Sequence, residues 1–486
     1  MSRKAKVIVW ALSAALAGFL FGFDTAVIAG AEQAVQRVWN MSDVLHGLAI
    51  SAALWGTVIG ALIGSVPSDA FGRKKTLIVI GLLYAASALG SAIAWDPFSF
   101  MAFRFIGGLG VGASSIAAPG YIAEIAPREQ RGKLVALFQT MIVIGILIAY
   151  LSNYWIGGSG PDDWRFMLGV ETVPALLFVL GVLFLPESPR WLVLHKGRRE
   201  EALAILRVVS PEDPEAVLRD VTKEERSVSA AAFFSGKYHR PILLALLIAF
   251  FNQLSGINAI IYYAPRIFEQ ASFGTDTALL ATIGIGAVNL VFTLIGLALI
   301  DRAGRKSLMY IGSFGYIVSL SMVAYGFAAR EFALVPIFLF AFIAAHAIGQ
   351  GAVLWAYISE IFPNAARAKG QALGAATHWI CAAALTLIMP AILASVPGQF
   401  IFTFFAGLML LQLAFVRFLM VETARPHAGG NRRGDGARRS GGQPLCARGR
   451  TRLILAGRRK AVSTCAPKQP SRGPEWKTAN SSAPPR

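Results

Sequence analysis

Long apolar runs alternate with short polar, charged stretches along most of the chain. One bilayer crossing takes ~20 mostly apolar residues, and twelve runs reach that length, at roughly 7–30, 48–68, 76–95, 99–122, 133–155, 166–186, 241–265, 276–300, 307–328, 332–358, 370–395 and 399–421. Backbone polar groups cannot go unpaired in lipid, so these runs are expected to be helices, numbered 1 to 12 in chain order. The alternation of a membrane barrel is absent. Residues 1–31 have the outline of a secretory signal: basic start, apolar run, then Ala29-Gly30-Ala31. The run is long, contains Asp24 and is followed by eleven more, so it reads as helix 1.

Between helices 6 and 7 the pattern turns polar. Glu200-Glu201-Ala202-Leu203-Ala204-Ile205-Leu206-Arg207 has helical spacing, and the Pro211–Pro214 cluster breaks it, which predicts short surface helices. The end of the chain, from about 426, is rich in Gly, Arg, Ser and Pro without periodicity, the composition of a disordered tail.

A charged cassette occurs twice between apolar runs. Asp69-Ala70-Phe71-Gly72-Arg73-Lys74 returns as Asp301-Arg302-Ala303-Gly304-Arg305-Lys306. Glu124-Ile125-Ala126-Pro127 with Arg131 and Lys133 returns as Glu360-Ile361-Phe362-Pro363 with Arg367 and Lys369, and Pro186-Glu187-Ser188 is echoed by Val421-Glu422-Thr423. Three collinear pairs mark two homologous halves. The expected organisation is a bundle over 1–188, a cytoplasmic linker over 189–235, a second bundle over 236–424 and a basic tail over 425–486. Duplicated halves in a membrane protein point to a transporter whose site lies between them.

Composition narrows this further. A mean hydropathy of +0.58 with 15% charged residues is that of a multi-span membrane protein. The net charge of +18 would suit nucleic acid, but +13 of it falls beyond residue 424. The segments on the N-terminal side of the bilayer carry 24 Lys/Arg, whereas the opposite loops carry Arg37, Arg165, Arg266 and Arg330. That bias places both termini in the cytoplasm and makes the lipid bilayer, not nucleic acid, the macroscopic partner. Cys381, Cys446 and Cys465 offer neither a disulfide framework nor metal spacing, and no nucleophile–base pair or phosphate loop suggests an enzyme.

Charges inside a span are costly and usually functional. Asp24 in helix 1, Arg104 in helix 4 and Glu171 in helix 6 all fall roughly 8–9 Å below the outer boundary at ~1.5 Å per residue. A carboxylate whose cationic partner changes with conformation picks up and releases a proton. A fixed Asp–Arg pair that locks two helices is the alternative, and Glu171 has the further option of facing outer water. His346 is read as a hydrogen-bonded core histidine. Helix 7 carries Asn252, Gln253, Asn258, Tyr262 and Tyr263; helix 5 holds Gln139, helix 8 Asn289, helix 10 Trp355 and helix 11 His378-Trp379. Amides both donate and accept, as hydroxyls do, and aromatic faces suit the C–H face of a ring. The alternative is interhelical packing.

These residues resemble the sugar porter family of the major facilitator superfamily over about 1–424. The resemblance rests on Gly22-Phe23-Asp24, Arg104-Phe105-Ile106-Gly107-Gly108, Pro186-Glu187-Ser188-Pro189-Arg190-Trp191, the helix 7 run from Gln253 to Tyr263, both cassettes and Ser359-Glu360-Ile361-Phe362-Pro363. It implies an all-α membrane fold of twelve transmembrane helices in two six-helix halves. It implies sugar contacts at Gln139, Asn252, Gln253, Asn258, Tyr262, Asn289, Trp355, His378 and Trp379, with Phe21 and Gly351 lining the same cavity. Asp24 resembles the aspartate of proton-coupled members, with Arg104 and Glu171 as its network. Asp69, Arg73, Glu124, Arg131, Asp301, Arg305, Glu360 and Arg367 look like the family's cytoplasmic gate, whose ion pairs break as the halves rock. The expectation is an inner-membrane, monomeric symporter of a monosaccharide, with the proton as coupling ion and no cofactor. A uniporter and a transporter-like sensor are the alternatives. Asn252 departs from a common Gln, His378 from Gln or Asn, and Ala352 from Pro.

Overall fold

The computed structural model describes residues 2–127, 129–158, 160–222 and 228–423; the expected basic tail lies outside them. Among the described residues there is no strand. All twelve expected helices are present: Ala5–Val38, Asp43–Ile63, Arg73–Ala92, Pro97–Ile125, Arg131–Ile156 and Asp163–Leu183 in the first half, then His239–Gln270, Thr275–Ala303, Arg305–Ala329, Leu334–Ile361, Asn364–Ser395 and Gly398–Phe418 in the second. Side-chain caps define several starts. The Ser42 hydroxyl accepts from Leu45 N, and Asp96 and Ser99 form a reciprocal capping box at helix 4.

Helix 1 is longer than its apolar run predicts. It continues to Val38, which leaves Asp24 about 21 Å short of the helix end at ~1.5 Å per residue, not 8–9 Å. Three spans are broken. Helix 7 stops at Leu254 and restarts at Ile257 across Gly256, whose φ of 87° is a left-handed conformation that glycine adopts without strain. Helix 10 passes through a π segment, Ala347–Gly351. Helix 6 is interrupted at Val170-Glu171. Breaks of this kind free backbone groups where a membrane protein lines a cavity.

The linker folds as Pro189–Lys196, Arg199–Val209, Pro214–Val221 and Ala230–Phe234. The helical spacing near 200–207 and the proline break are both realised. The first three pack a small core of Trp191, Leu192, Ala202, Leu203, Leu206 and Leu218.

The two halves meet along helices 2 and 11, 5 and 8, and 1 and 7. At the end opposite the termini the approach is very close. A Cβ added at Gly47 of helix 2 would lie 1.9 Å from the Leu387 carbonyl oxygen of helix 11. Among the described residues, the side-chain hydrogen bonds that join the halves run from helices 1 and 5 to the part of helix 7 beyond its break. The bundle is therefore cinched at the end away from the termini.

Candidate functional site

Between the halves lies a cavity of about 130 Å³; by this measure a water needs ~10–15 Å³, so a small guest fits. Ten of the eleven expected contact residues line it: Phe21, Gln139, Asn252, Gln253, Asn258, Tyr262, Asn289, Gly351, His378 and Trp379. Trp355 stands apart. It is 38% exposed and does not line the cavity; its ring packs on His378 at a centroid distance of 5.1 Å. Thr25, Thr293 and His346 also line the cavity, with apolar residues such as Leu54, Ile142 and Ile261. His346 is hydrogen-bonded as expected, to the buried Tyr316 hydroxyl at 2.6 Å, and it also lines the cavity.

The break in helix 7 gathers the amides. Gln253 Nε2 lies 2.8 Å from Asn252 Oδ1 and 3.2 Å from both ring nitrogens of His378, while Asn258 Nδ2 donates to Gln253 Oε1 at 2.8 Å. Phe21 and Trp379 face each other across the halves at 5.6 Å. The site thus offers donors, acceptors and aromatic faces to a neutral polyhydroxylated ring, with no net charge of its own.

Asp24, Arg104 and Glu171 are brought together in the first half, each at most 2% exposed. Arg104 Nη1 donates to Asp24 Oδ1 at 2.5 Å, and Nη2 to the Asp24 carbonyl oxygen at 3.2 Å. Glu171 interacts with both, and its Oε1 has no hydrogen-bond partner. Glu171 does not face water; it is buried at the interruption of helix 6. Tyr262 reaches the side chain of Thr25, the neighbour of Asp24. Thr25, next to Asp24 in the chain, and Tyr262 both line the cavity, so the cavity wall adjoins the charged trio.

The three repeated motifs converge at one place in each half. Arg73 donates to Asp69 (3.0 Å) and to both Glu124 oxygens (3.1 Å); Arg305 donates to Asp301 (3.1 Å) and Glu360 (2.8 Å). Glu187 accepts from the backbone nitrogens of Arg73 and Lys74, and Glu422 from those of Arg305 and Lys306, so each caps the start of helix 3 or 9 from afar. Ser188 and Thr423 donate to Glu124 and Glu360. Each cluster is built inside one half. Arg131 and Arg367 are not part of either: Arg131 Nε is buried without a partner, and Arg367 Nε donates to the Ser359 carbonyl oxygen. Gly72 completes the first cluster at φ 98°, where an added Cβ would lie 2.4 Å from Glu187 Oε2. Gly72→Ala is expected to cost about 1–3 kcal/mol from backbone strain alone, because its φ and ψ of 98° and 162° fall in an essentially glycine-only region, and to lower the melting temperature. Gly132→Ala, with nothing within 4 Å of its Cβ, should leave it nearly unchanged.

The opposite end holds a cluster that the apolar pattern missed. Arg266 of helix 7 donates through Nε to Glu32 Oε1 (3.0 Å) and through Nη2 to Glu32 Oε2 (2.9 Å) and Gln36 Oε1 (2.6 Å). Gln33 donates to Glu269 at 2.8 Å, and His46 Nε2 lies 3.2 Å from Glu32 Oε2, though not aligned for a hydrogen bond. Glu32, Gln33 and Gln36 share one helix 1 face at i, i+1 and i+4, a signal lost where the apolar run was taken to end.

Twelve helices in two bundles, broken around a polar central cavity, define a secondary transporter of the major facilitator type. Residues 10–427 match the sugar (and other) transporter family, and the chain belongs to that family, whose members are transporters and not enzymes. It is 36% identical over 406 residues to the D-xylose-proton symporter of Escherichia coli, covering 76% of this chain and 82% of that one. It is 35% identical over 429 residues to the arabinose-proton symporter of Bacillus subtilis, covering 86% and 92%. The xylose transporter XylE of E. coli in an inward-open conformation superposes with a TM-score of 0.77 at 31% identity, covering 87% of this chain and 98% of that one.

Proposed function

We propose that the chain imports a monosaccharide with a proton by alternating access across the inner membrane, as a monomer with both termini in the cytoplasm. The bundles are assigned to 1–188 and 236–424 with the linker between them. The single observation that carries this reading is the buried Asp24–Arg104–Glu171 trio beside an uncharged, amide-lined cavity whose wall includes Thr25, the neighbour of Asp24. The similarity to proton symporters of D-xylose and of arabinose supports a pentose or a sugar of similar size. With the termini inside, the closed end faces out and the cavity serves the cytoplasm.

The test is thermal stabilisation of purified protein by D-xylose, L-arabinose and D-glucose. A true ligand at 100 times its Kd adds about 2.7 kcal/mol of stability. Gln253→Ala removes the hub of the amide network and is expected to weaken binding roughly tenfold or more, at ~1.4 kcal/mol per decade. Failure of every sugar to stabilise the protein would refute the reading. The alternative is a uniporter in which Asp24–Arg104 is a purely structural lock, a role with which the bond from Arg104 to the Asp24 backbone carbonyl is equally compatible. Sugar-driven alkalinisation of the medium separates the two.

A further inference from the structure

A second concavity shares no residue with the central cavity. It is a groove of about 830 Å³ between helices 3, 5 and 6, at the end of the first half away from the termini. Ile93, Trp155 and Phe166 on its walls are 66–75% exposed; aromatic residues at helix ends mark the level where lipid headgroups meet hydrocarbon. Asp162 and Arg165 supply its charge. Arg165 Nη1 donates to the carbonyl oxygens of Ala92 (2.8 Å) and Ala94 (2.9 Å) at the end of helix 3, and Nε donates to Asp162 Oδ1 (3.2 Å). The guanidinium carbon lies 4.2 Å from the Trp164 ring centroid, which fixes the group further. A guanidinium has five N–H donors. Three are used, and the two on Nη2 have no acceptor among the described residues. The Asp162 side chain is 68% exposed and engages Arg165 through Oδ1 alone. A fixed cation and an open carboxylate thus stand side by side above an apolar groove.

The geometry points to this groove as a binding site for one phospholipid of the leaflet away from the termini, a zwitterionic one whose head carries a primary ammonium. Its phosphate takes the Nη2 donors, its ammonium takes Asp162, and an acyl chain lies along Ile93, Trp155 and Phe166. Charge complementarity selects that head. An anionic lipid would face Asp162, with Asp163 next in the chain, and find no second cation in the groove. A quaternary ammonium has no N–H to donate to Asp162. Gly169 and Val170 also line the groove and immediately precede Glu171, so the lipid seats against the interruption of helix 6. The inference is independent of which solute the central cavity takes.

The experiment is native mass spectrometry of purified full-length protein in micelles holding equal amounts of dioleoyl phosphatidylethanolamine, phosphatidylcholine and phosphatidylglycerol. One phosphatidylethanolamine is expected to be retained about two- to fivefold over each of the others, the worth of one exposed ion pair. Asp162→Asn should erase the preference over phosphatidylcholine without lowering phosphatidylcholine itself. Arg165→Gln should weaken retention of both, because both offer the same phosphate. Its melting temperature in lipid-free detergent reports whether the fold survives loss of the helix 3 contacts; if it does not, Asp162→Asn at its exposed position decides alone. Glycerophosphoethanolamine, the same head without chains, should not compete at the same concentration. Equal retention of the three lipids, or a preference that persists in Asp162→Asn, would overturn the inference. Effective competition by the chain-free head would overturn it too, by making the groove a site for soluble phosphoesters.

Discussion

In proteoliposomes with an inward proton gradient, Asp24→Asn is expected to abolish sugar accumulation while sugar-for-sugar exchange persists. One charge moving down 100 mV releases about 2.3 kcal/mol, which at ~1.4 kcal/mol per decade sustains roughly 50-fold accumulation. The variant should fall to equality across the membrane. Asn keeps the shape of Asp24 and can still face Arg104, but it carries no titratable proton. Glu171 remains beside Arg104 to balance its charge, so the fold has a means of tolerating the change. Persistent exchange demonstrates an intact cavity and moving halves. Undiminished accumulation would leave Asp24–Arg104 as a lock between helices 1 and 4.

Arg266→Ala is expected to open the closed end. Glu32 has 0% exposure, and Arg266 is its bidentate partner from the other half. Removing one member of a buried pair typically costs about 3–5 kcal/mol. That cost falls only on the conformation in which the halves touch here, because parting them rehydrates Glu32. The balance should move toward the outward-open form by roughly two to three and a half powers of ten, at ~1.4 kcal/mol each. Spin labels on exposed Val44 and Thr275, with Cys381, Cys446 and Cys465 replaced, should report a longer distance in the variant. Glu32→Gln combined with Arg266→Ala should restore part of the closed population, since no charge is then stranded. An unchanged distance distribution would mean that the pair does not hold the end shut. Gly47 belongs to the same contact, so Gly47→Leu should act in the same direction.

Both predictions depend on where polar residues of distant segments come together, and the sequence was unequal to the two cases. The trio was legible because an ionisable group amid apolar residues is conspicuous one residue at a time. The amides were legible because several fall within one turn or two of helix 7. The three duplicated motifs were legible as repeats, but not as parts of one cluster per half, since Glu187 must cross more than a hundred positions to cap helix 3. The Glu32–Arg266 pair was invisible because a linear scan ends a span at the first run of polar residues.

By itself, the sequence determined the number and order of the spans, their duplication, the family and the chemistry available to the cavity. These follow from local composition and short spacings, which lipid enforces segment by segment. Only the tertiary structure decided that helix 1 runs on to Val38, that Glu171 turns inward, that Trp355 sits beside the cavity and His346 in it, and which end is shut. Each of those depends on a partner from another helix, because a charge or an open lone pair is tolerable in that setting only when something distant in the chain satisfies it.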